Sequence, residues 1–210
     1  MNPVLADDRG VLAVDARVVL RPVPAGAVPY AHLAIHPYPA DLEGVEELPG
    51  GARLVVRPIR PEDAEIENAF VDALSPDSLR LRFHSGLRHL TPTMLARFTQ
   101  IDYDREMALV AVDMSGAAPR QVAVVRYIRL PDARTCEFAI VIADDWQGRG
   151  LGRRMLLRLI GIARSRDLDT MTGYVLTSNA AMIALCTSLG FASEPEPGDA
   201  LNRRMTLDLR

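Results

Sequence analysis

The chain has 210 residues, 49% of them hydrophobic, and a formal net charge of −3 at neutral pH. This length favours one large domain, or one domain with an appendage, and the small negative charge gives no electrostatic reason to expect nucleic acid or an anionic membrane as a partner. The longest apolar runs have roughly 8 residues, against the ~20 that a membrane-spanning helix needs, so no membrane span is expected.

Residues 1–20 are predicted to form a hairpin, because two apolar runs flank the turn residues Asp8-Arg9-Gly10. The chain starts acidic and without a long apolar core, so it does not have the pattern of a signal peptide. Residues 21–52 are rich in proline and glycine, which predicts a linker or an irregular segment. We therefore expect an appendage over residues 1–52 and a separate domain over residues 53–210.

The pattern becomes regular from Arg53 onward, where residues 53–58 are predicted to form a strand. Pro61 opens a helix, since proline suits the first helical turn and the two acidic residues that follow favour its positive end. Two further short helices are predicted to begin at Ser75 and Thr91. Three apolar runs then predict strands, over residues 107–112, 121–128 and 136–142.

The remaining elements alternate between helix and strand. Residues 150–166 predict a long amphipathic helix, with an apolar stripe and arginines largely off it. A strand over 170–176, a helix over 179–189 and a last strand over 201–209 follow. This order predicts an α/β domain with a mixed, twisted sheet of about six to seven strands flanked by helices.

A glycine-rich turn joins the strand over 136–142 to the long helix. The start of a helix leaves backbone N–H groups without partners and carries partial positive charge, and glycine lets an anion approach the main chain closely. Arg149, Arg153 and Arg154 add positive charge nearby. The turn therefore predicts an anion site made from backbone groups.

The glycine spacing excludes two nucleotide motifs, because Gly148, Gly150 and Gly152 are spaced by two and match neither the P-loop nor the dinucleotide pattern. The run Gln147-x-x-Gly150-x-Gly152 instead resembles the acyl-CoA motif of the GNAT N-acetyltransferase superfamily. The segment from Asn179 to Phe191 resembles the closing segment of that superfamily. The resemblance covers residues 53–210 and implies the GNAT fold and transfer of an acyl group from acetyl-CoA to an amine.

The resemblance also implies a set of residues that contact coenzyme A. Asn179 matches an asparagine that contacts the cofactor, although it also suits a helix N-cap. Cys186 stands where many GNAT enzymes have a tyrosine that acts as general acid, and a helical cysteine is equally suited to the core. The expected set is Ile140, Val141, Ile142, Gln147, Gly148, Arg149, Gly150, Leu151, Gly152, Arg153, Asn179 and Cys186.

Two further segments, residues 101–111 and 137–142, resemble the GNAT domain of bacterial Pat-type protein lysine acetyltransferases. In many of these proteins the GNAT domain follows a large acyl-CoA-synthetase-like region, and residues 1–42 resemble the tail of that region, where an ATP-grasp domain ends. The rest of an ATP-grasp domain is absent, so no nucleotide site is expected. The resemblance implies a protein lysine acceptor, such as that of an acyl-CoA synthetase. A small-molecule amine and a non-catalytic CoA-binding regulatory module are the alternatives.

Glu137 is the candidate general base. A lysine amine has a pKa of about 10.4 and is mostly protonated at neutral pH, so a base that removes the proton speeds its attack. Glu137 lies near the start of the strand that leads to the glycine turn, where a half-buried carboxylate suits a base working near neutrality, and Pat-type enzymes have a glutamate at this place. The alternative is a salt bridge with Arg134 or Arg126. Resemblance to GNAT enzymes also implies an oxyanion donor in the backbone near Val141 or Ile142.

Acceptor recognition is assigned to Asp102, Tyr103, Asp104 and Glu106, since carboxylates suit a cationic amine; a solvated turn is the alternative. Residues 80–85 are a further candidate border of the site. The two cysteines and four histidines show no ligand spacing, so no metal is expected. Two distant cysteines suit a reduced, cytoplasmic setting.

Overall fold

The computed structural model of the chain describes residues 3–17, 19, 33, 36–84 and 87–210. These residues fall into two compact units, Met1–Ala34 and Ile35–Arg210.

The predicted N-terminal hairpin is present in the first unit. Strands β1 (Val4–Asp7) and β2 (Gly10–Ala13) pair antiparallel, and the Asp7 carboxylate accepts hydrogen bonds from the N–H groups of Arg9 (2.8 Å) and Gly10 (3.0 Å), which closes the turn. Much of the predicted linker, residues 20–32 with 34 and 35, lies outside the described residues. The resemblance of residues 1–42 to an ATP-grasp tail stays a prediction.

The second unit contains one sheet of eight strands in the order β3-β4-β5-β6-β7-β8-β10-β9. Every neighbouring pair is antiparallel except β7 and β8, which are parallel, so the predicted mixed α/β sheet is confirmed. The strands are β3 (Gly44–Glu47), β4 (Arg53–Pro58), β5 (Glu106–Asp113), β6 (Arg120–Arg129), β7 (Thr135–Ile142), β8 (Thr170–Leu176), β9 (Ala192–Glu196) and β10 (Asp199–Asp208).

Five α-helices flank this sheet, and two of them begin at the residues that the sequence predicted as N-caps. Ser75 and Thr91 each accept a hydrogen bond through the side-chain oxygen from the backbone N–H three residues on (3.2 Å in both), and proline occupies the first turn. The helices are α1 (Ala64–Asp72), α2 (Pro76–Phe83), α3 (Pro92–Thr99), α4 (Leu151–Ser165) and α5 (Ala180–Ser188). In the part of the chain that the structure describes, no helix has the length and hydropathy of a membrane span.

The sheet has two strands that the sequence patterns did not predict, β3 and β9. Strand β3 lies in the segment that was expected to be a linker, yet it pairs with β4 over four residues. Arg158 of α4 holds it in place by donating hydrogen bonds to the Glu46 carboxylate (3.2 Å) and the Leu42 carbonyl (2.9 Å). The second compact unit therefore includes part of the segment that was expected to be a linker. Strand β9 contains Pro195, which an edge strand tolerates.

The helices cover opposite faces of the sheet. Arg126 of β6 contacts Glu67 of α1, so its side chain lies on the face that α1 covers. Arg126 is paired with Ala139 of β7, whose side chain therefore lies on the same face. By strand alternation, the side chains of Glu137 and Val141 also lie on this face, which α1 and α2 cover. Ile142 points to the other face, where it approaches Gly152 of α4. Each face of β7 thus presents a different set of side chains.

The one parallel pair separates soon after it begins. Strands β7 and β8 pair only at Thr135–Thr170, Cys136–Met171 and Glu137–Thr172, although both continue beyond these residues. We call the gap that opens after Glu137 and Thr172 the wedge. It leaves one side of the second half of β7 without a strand partner.

Candidate functional site

A cleft of about 940 Å³ occupies the wedge. Its lining comes from α2, the second half of β7, the glycine turn, β8, α5 and the tip of the β9–β10 hairpin. Most of the residues predicted from the sequence to form the site therefore meet at one place. The predicted residues that line it are Glu137, Ile140, Val141, Ile142, Gln147, Gly148, Gly150, Gly152, Arg153 and Asn179.

The glycine turn has the backbone geometry of an anion site. Gly148 and Gly150 adopt φ angles of 72° and 80°, in the left-handed region that favours glycine. Gly150 is the N-cap of α4 and has no side chain to satisfy the first helical N–H groups. The first bond of the helix runs from Arg154 N to Gly150 O (3.3 Å), so the N–H groups of residues 151–153 have no intrahelical acceptor. Free donors at a helix start fit a phosphate group.

The arginines near this turn differ in their availability. Arg153 lines the cleft, although its guanidinium also donates to Ser188 Oγ (3.2 Å). Arg149 does not line the cleft and lies over the ring of Trp146, 5.0 Å from its centroid. Arg154 pairs with Glu46 of β3 (3.2 Å) and is engaged away from the turn. Arg153 is therefore the arginine placed to assist the backbone in binding an anion.

Gln147 connects the turn to two other elements. Its Nε2 donates to Ile142 O at the end of β7 (3.1 Å) and to Ser78 Oγ of α2 (3.2 Å). Asp144 strengthens the same junction by accepting hydrogen bonds from Ser75 N (2.9 Å), Ser75 Oγ (2.8 Å) and Ser78 Oγ (2.7 Å). Helix α2 is thus fixed as one wall of the cleft.

The backbone of β7 presents donors to the wedge at alternate residues. Ala143 N donates to Val122 O of β6 (2.8 Å), and the main-chain groups of Val141, two residues earlier, therefore also face β6. The N–H groups of Ile140 and Ile142 point the other way, into the wedge. Of the two residues expected to provide an oxyanion donor, Ile142 has its N–H on the correct side and Val141 does not.

Glu137 lies in the cleft, where its charge interacts with that of Arg82. Its carboxylate has no hydrogen bond or ion pair with any residue that the structure describes. Both arginines considered as salt-bridge partners are engaged elsewhere, since Arg134 pairs with Asp169 and Arg126 with Glu67 (3.7 Å). The expectation of a half-buried strand residue is wrong: Glu137 is exposed, because the opening of the wedge begins at this residue.

Arg82 of α2 lines the cleft. The sequence indicated it only as one of residues 80–85, which were a candidate border of the site. Its guanidinium has no ion pair or hydrogen bond among the described residues. Burial lowers the pKa of Arg82 to about 10, with a further lowering by Arg126, against the opposing effects of Glu67 and Glu137. Leu81, Arg82, Phe83 and His84 all line the cleft, whereas Ser85 lies outside the described residues.

Asn179 is the N-cap of α5, and its contact with coenzyme A stays a prediction. Its Oδ1 accepts a hydrogen bond from Met182 N (3.1 Å) as the N-cap of α5, and the residue also lines the cleft. Cys186 does not line the cleft, so its assignment to the cofactor site is corrected. The Leu151 side chain does not line the cleft either, and only the backbone N–H of Leu151 belongs to the anion site. Both are buried in the core, Cys186 because it projects from α5 toward the interior, and burial raises the pKa of the Cys186 thiol to about 12.

The predicted acceptor residues Asp102, Tyr103, Asp104 and Glu106 do not line the cleft. They lie where α3 leads into β5, which is two strands away from β7 in the sheet. The buried Tyr103 hydroxyl donates to Ile59 O (2.7 Å), and Glu106 pairs with Arg97 (2.7 Å). These contacts give the segment a structural role.

Several cleft residues were missed by sequence reasoning. Tyr174 follows Thr172 on the same face of β8, and Thr172 pairs with Glu137, so the Tyr174 side chain lies on the Glu137 face. Glu196, Asp199 and Asn202 belong to the β9–β10 hairpin. Tyr174 was missed because its position relative to Glu137 depends on the register between β7 and β8, which the sequence does not give. Among the described residues, no three histidine, cysteine or acidic side chains are grouped as a metal site requires.

Comparison with known proteins agrees with this geometry. A sequence profile described as the acetyltransferase (GNAT) domain matches residues 53–192. Acetyltransferase PA5475 of Pseudomonas aeruginosa is 36% identical over 156 residues, which are 74% of this chain and 84% of that protein. The solved GNAT domain of S. lividans PAT has a TM-score of 0.75 and 28% identity, and the match covers 82% of this chain and 99% of that one.

A further solved structure shows the cofactor of a relative. It is yncA of Salmonella typhimurium, described as a putative acetyltransferase with its cofactor acetyl-CoA, with a TM-score of 0.57, 25% identity and coverage of 75% of this chain and 94% of that one. The profile spans the wedge, the glycine turn and the helix that follows. The chain therefore belongs to the GNAT family of acetyltransferases.

Proposed function

We propose that the protein transfers an acetyl group from acetyl-CoA to a lysine side chain of another protein, with Glu137 as general base. The observation that carries this proposal is the unpaired carboxylate of Glu137 in the same cleft as the glycine turn. A structural glutamate on a strand is normally paired or solvated outside a cleft, whereas a catalytic base must be free to take a proton.

Each part of the cleft then has a task. Bound acetyl-CoA supplies a thioester carbonyl that an amine can attack. The N–H groups of residues 151–153 and the guanidinium of Arg153 hold the anionic end of the cofactor. Ile142 N–H faces the wedge, where it can stabilise negative charge on the carbonyl oxygen. Glu137 removes the proton from the acceptor amine. Cys186 is buried, so no acid is assigned to the leaving thiolate.

The choice of a protein lysine rests on similarity and on the open cleft. The GNAT domain of S. lividans PAT matches 82% of this chain. Glu137 is exposed in the open cleft, at the point where the wedge begins, and a side chain of a large partner can reach it. An acyl-CoA synthetase with a reactive lysine is the first acceptor to test. Both described cysteines are free, which fits the proposed cytoplasmic setting.

The test is acetyl transfer from labelled acetyl-CoA to separate acceptors: a purified acyl-CoA synthetase, a panel of polyamines, and no acceptor. We expect label on a lysine of the synthetase. Label on polyamines alone would contradict the proposal. The reaction without acceptor measures background hydrolysis, because the chain has no lysine that could be acetylated.

Arg82 favours a second candidate, a small amine that also carries a carboxylate. An unpaired guanidinium in a partly buried cleft is a strong partner for a carboxylate. Amino acids at equal concentration belong in the same assay, together with Arg82→Gln. If amino acids are the acceptors, this variant should raise their KM by about tenfold or more while the KM of acetyl-CoA stays near that of wild type.

A further inference from the structure

We propose that Arg82 assists acetyl transfer through its positive charge, by favouring the uncharged form of the acceptor amine beside Glu137. Arg82 is not assigned a contact with the reacting atoms, so it is a positioning residue rather than a catalytic one. This inference rests on the proposed function, because it requires an amine that attacks from the Glu137 side of the cleft. The acceptor class is an amine without a carboxylate, such as a lysine side chain within a protein.

Helix α2 fixes Arg82 in one wall of the cleft. Ser78, one helical turn earlier on the same face, also lines the cleft, and its hydroxyl donates to Asp144 (2.7 Å). The Arg82 side chain is half-buried, and its guanidinium makes no hydrogen bond or ion pair with any residue that the structure describes. The wall of the cleft therefore carries a positive charge that no described group neutralises by direct contact.

Two glutamates and two arginines share this face of the sheet, and only one pair of them is in contact. Glu67 of α1 lies 3.7 Å from Arg126 of β6, and Gln121 donates a hydrogen bond to the same carboxylate. The charges of Glu67 and Arg126 therefore compensate each other. Arg82 interacts electrostatically with Arg126 and with both glutamates, but it pairs with none of them. The charges of Arg82 and Glu137 are thus the two that act on an occupant of the cleft.

The other titratable side chains that line the cleft are His84, Arg153, Tyr174, Glu196 and Asp199. Desolvation lowers the pKa of His84, with a further lowering by Arg82 and an opposing effect of Asp199, so His84 is uncharged at neutral pH. Glu196 has Arg204 as its ion-pair partner (3.8 Å). The effect on His84 shows that the charge of Arg82 favours the proton-free form of a basic group in this cleft.

Acetyl transfer needs both reacting groups without an extra proton. The amine must be uncharged to attack the thioester carbonyl, and Glu137 must be ionised to accept the proton that the nitrogen loses as the C–N bond forms and the C–S bond breaks. A lysine amine, with a pKa of about 10.4, enters mostly as ammonium, which an isolated Glu137 carboxylate would hold as an ion pair. The nearby charge of Arg82 opposes that ion pair and favours the uncharged amine.

The experiment measures kcat against pH with saturating acetyl-CoA and a saturating lysine peptide that has neutral neighbours and an amidated end. The peptide carries no carboxylate, because a carboxylate would neutralise Arg82, and kcat reports the ionisation of groups within the complex. The proteins are wild type, two neutral variants, Arg82→Gln and Arg82→Met, and the charged variant Arg82→Lys. The matched control is Arg80→Gln, at an exposed arginine of α2 that pairs with Asp77 (2.9 Å) and does not line the cleft.

We expect the rise of kcat with pH to move upward by about one pH unit in the two neutral variants, because loss of the positive charge favours the ammonium form. Arg82→Lys, checked by mass spectrometry for the absence of acetylation at position 82, should keep the wild-type profile, as should the control. A loss of activity by the same factor at every pH would overturn the inference, because it would show a structural effect alone. An upward shift in Arg82→Lys would also overturn it.

A binding measurement separates this inference from the proposed function. The lysine peptide and its norleucine counterpart are titrated by calorimetry at neutral pH into each protein with CoA present. Relative to the norleucine peptide, the lysine peptide should bind about tenfold more tightly to Arg82→Gln than to wild type, since one pKa unit corresponds to a tenfold change. This result supports the charge effect even if no lysine is acetylated, which would contradict only the lysine proposal. An equal ratio in all proteins overturns the inference.

Discussion

The ring of Phe138 in β7 lies directly against the backbone of Gly173 in β8. A Cβ atom at position 173 would lie 2.5 Å from Cε1 of that ring, closer than side-chain contacts allow. Phe191 packs on the ring from beyond α5, with the centroids 5.1 Å apart. The contact sits one residue beyond the last β7–β8 pair, where the two strands stop pairing.

Gly173→Ala should therefore damage both stability and cofactor binding. Overpacking a core contact costs about 1–3 kcal/mol, and movement of Phe138 would alter the wedge. Thermal unfolding and the KM of acetyl-CoA measure the two effects. The control is Gly161→Ala on the exposed face of α4, where an added Cβ meets no atom within 4 Å and should stabilise the helix by about 0.5–1 kcal/mol. Similar behaviour of the two variants would contradict the role of Phe138.

Gly150→Ala should weaken acetyl-CoA binding by straining the turn. A residue with a Cβ is less stable by about 1–2 kcal/mol at a φ of 80° because of steric strain. Relief of that strain would move the N–H groups at the start of α4. We expect a raised KM for acetyl-CoA, with kcat at saturation less affected. Gly50→Ala is the matched control, because Gly50 has a φ of 92°, open space around it and no place in the cleft. An equal KM in both variants would exclude the turn as the cofactor site.

Glu137→Gln should lower kcat at neutral pH by a factor of roughly 10²–10⁴, because the amide cannot accept the proton of the acceptor amine. Activity should recover as the pH approaches the lysine pKa of about 10.4, where the amine loses its proton without help. The KM of acetyl-CoA should change little. Glu47→Gln, at an exposed glutamate of β3 paired with Arg53, is the control. A kcat within a few-fold of wild type would refute the assignment of Glu137 as base.

Asp144 should make the attachment of α2 sensitive to acid. Although burial raises the pKa of Asp144, the hydrogen bonds from Ser75 and Ser78 outweigh this and hold it below its usual 3.8. The folded state therefore favours the ionised form, and this stabilisation is present above about pH 3.8 and is lost as the pH falls through the lower pKa of the folded protein. Asp144→Asn should lower Tm at neutral pH, and its difference from wild type should shrink toward pH ~3. A difference that does not depend on pH would contradict this account.

Local patterns were enough to predict the glycine turn, the helix starts and most strands. The turn depends on the order of residues 147–152, and the starts of α2 and α3 depend on Ser75 and Thr91 with the prolines that follow. These signals act within one helical turn of the chain. They need no knowledge of distant partners, and the sequence contains them in full.

Features that depend on distant pairing were not predictable in the same way. Strand β3 has the composition of a linker, but it forms because it pairs with β4 and because Arg158 donates a hydrogen bond to Leu42 O just before it. The exposure of Glu137 depends on where β7 leaves β8, and the place of Tyr174 in the cleft depends on the same register. Asp102 to Glu106 looked like a recognition segment because carboxylates cluster there, but sheet order separates them from β7.

Strands β7 and β8 pair at only three residues, whereas every other pair of neighbouring strands in the sheet pairs over four to eight residues. The β7–β8 pairing is therefore the shortest in the sheet. The N–H groups of Ile140 and Ile142 face this boundary without a strand partner. Any extended chain that lies in the wedge and accepts their hydrogen bonds takes the position of a missing strand. Slower amide hydrogen exchange at these two residues should then report occupancy of the wedge directly, because the ligand connects the two halves of the sheet.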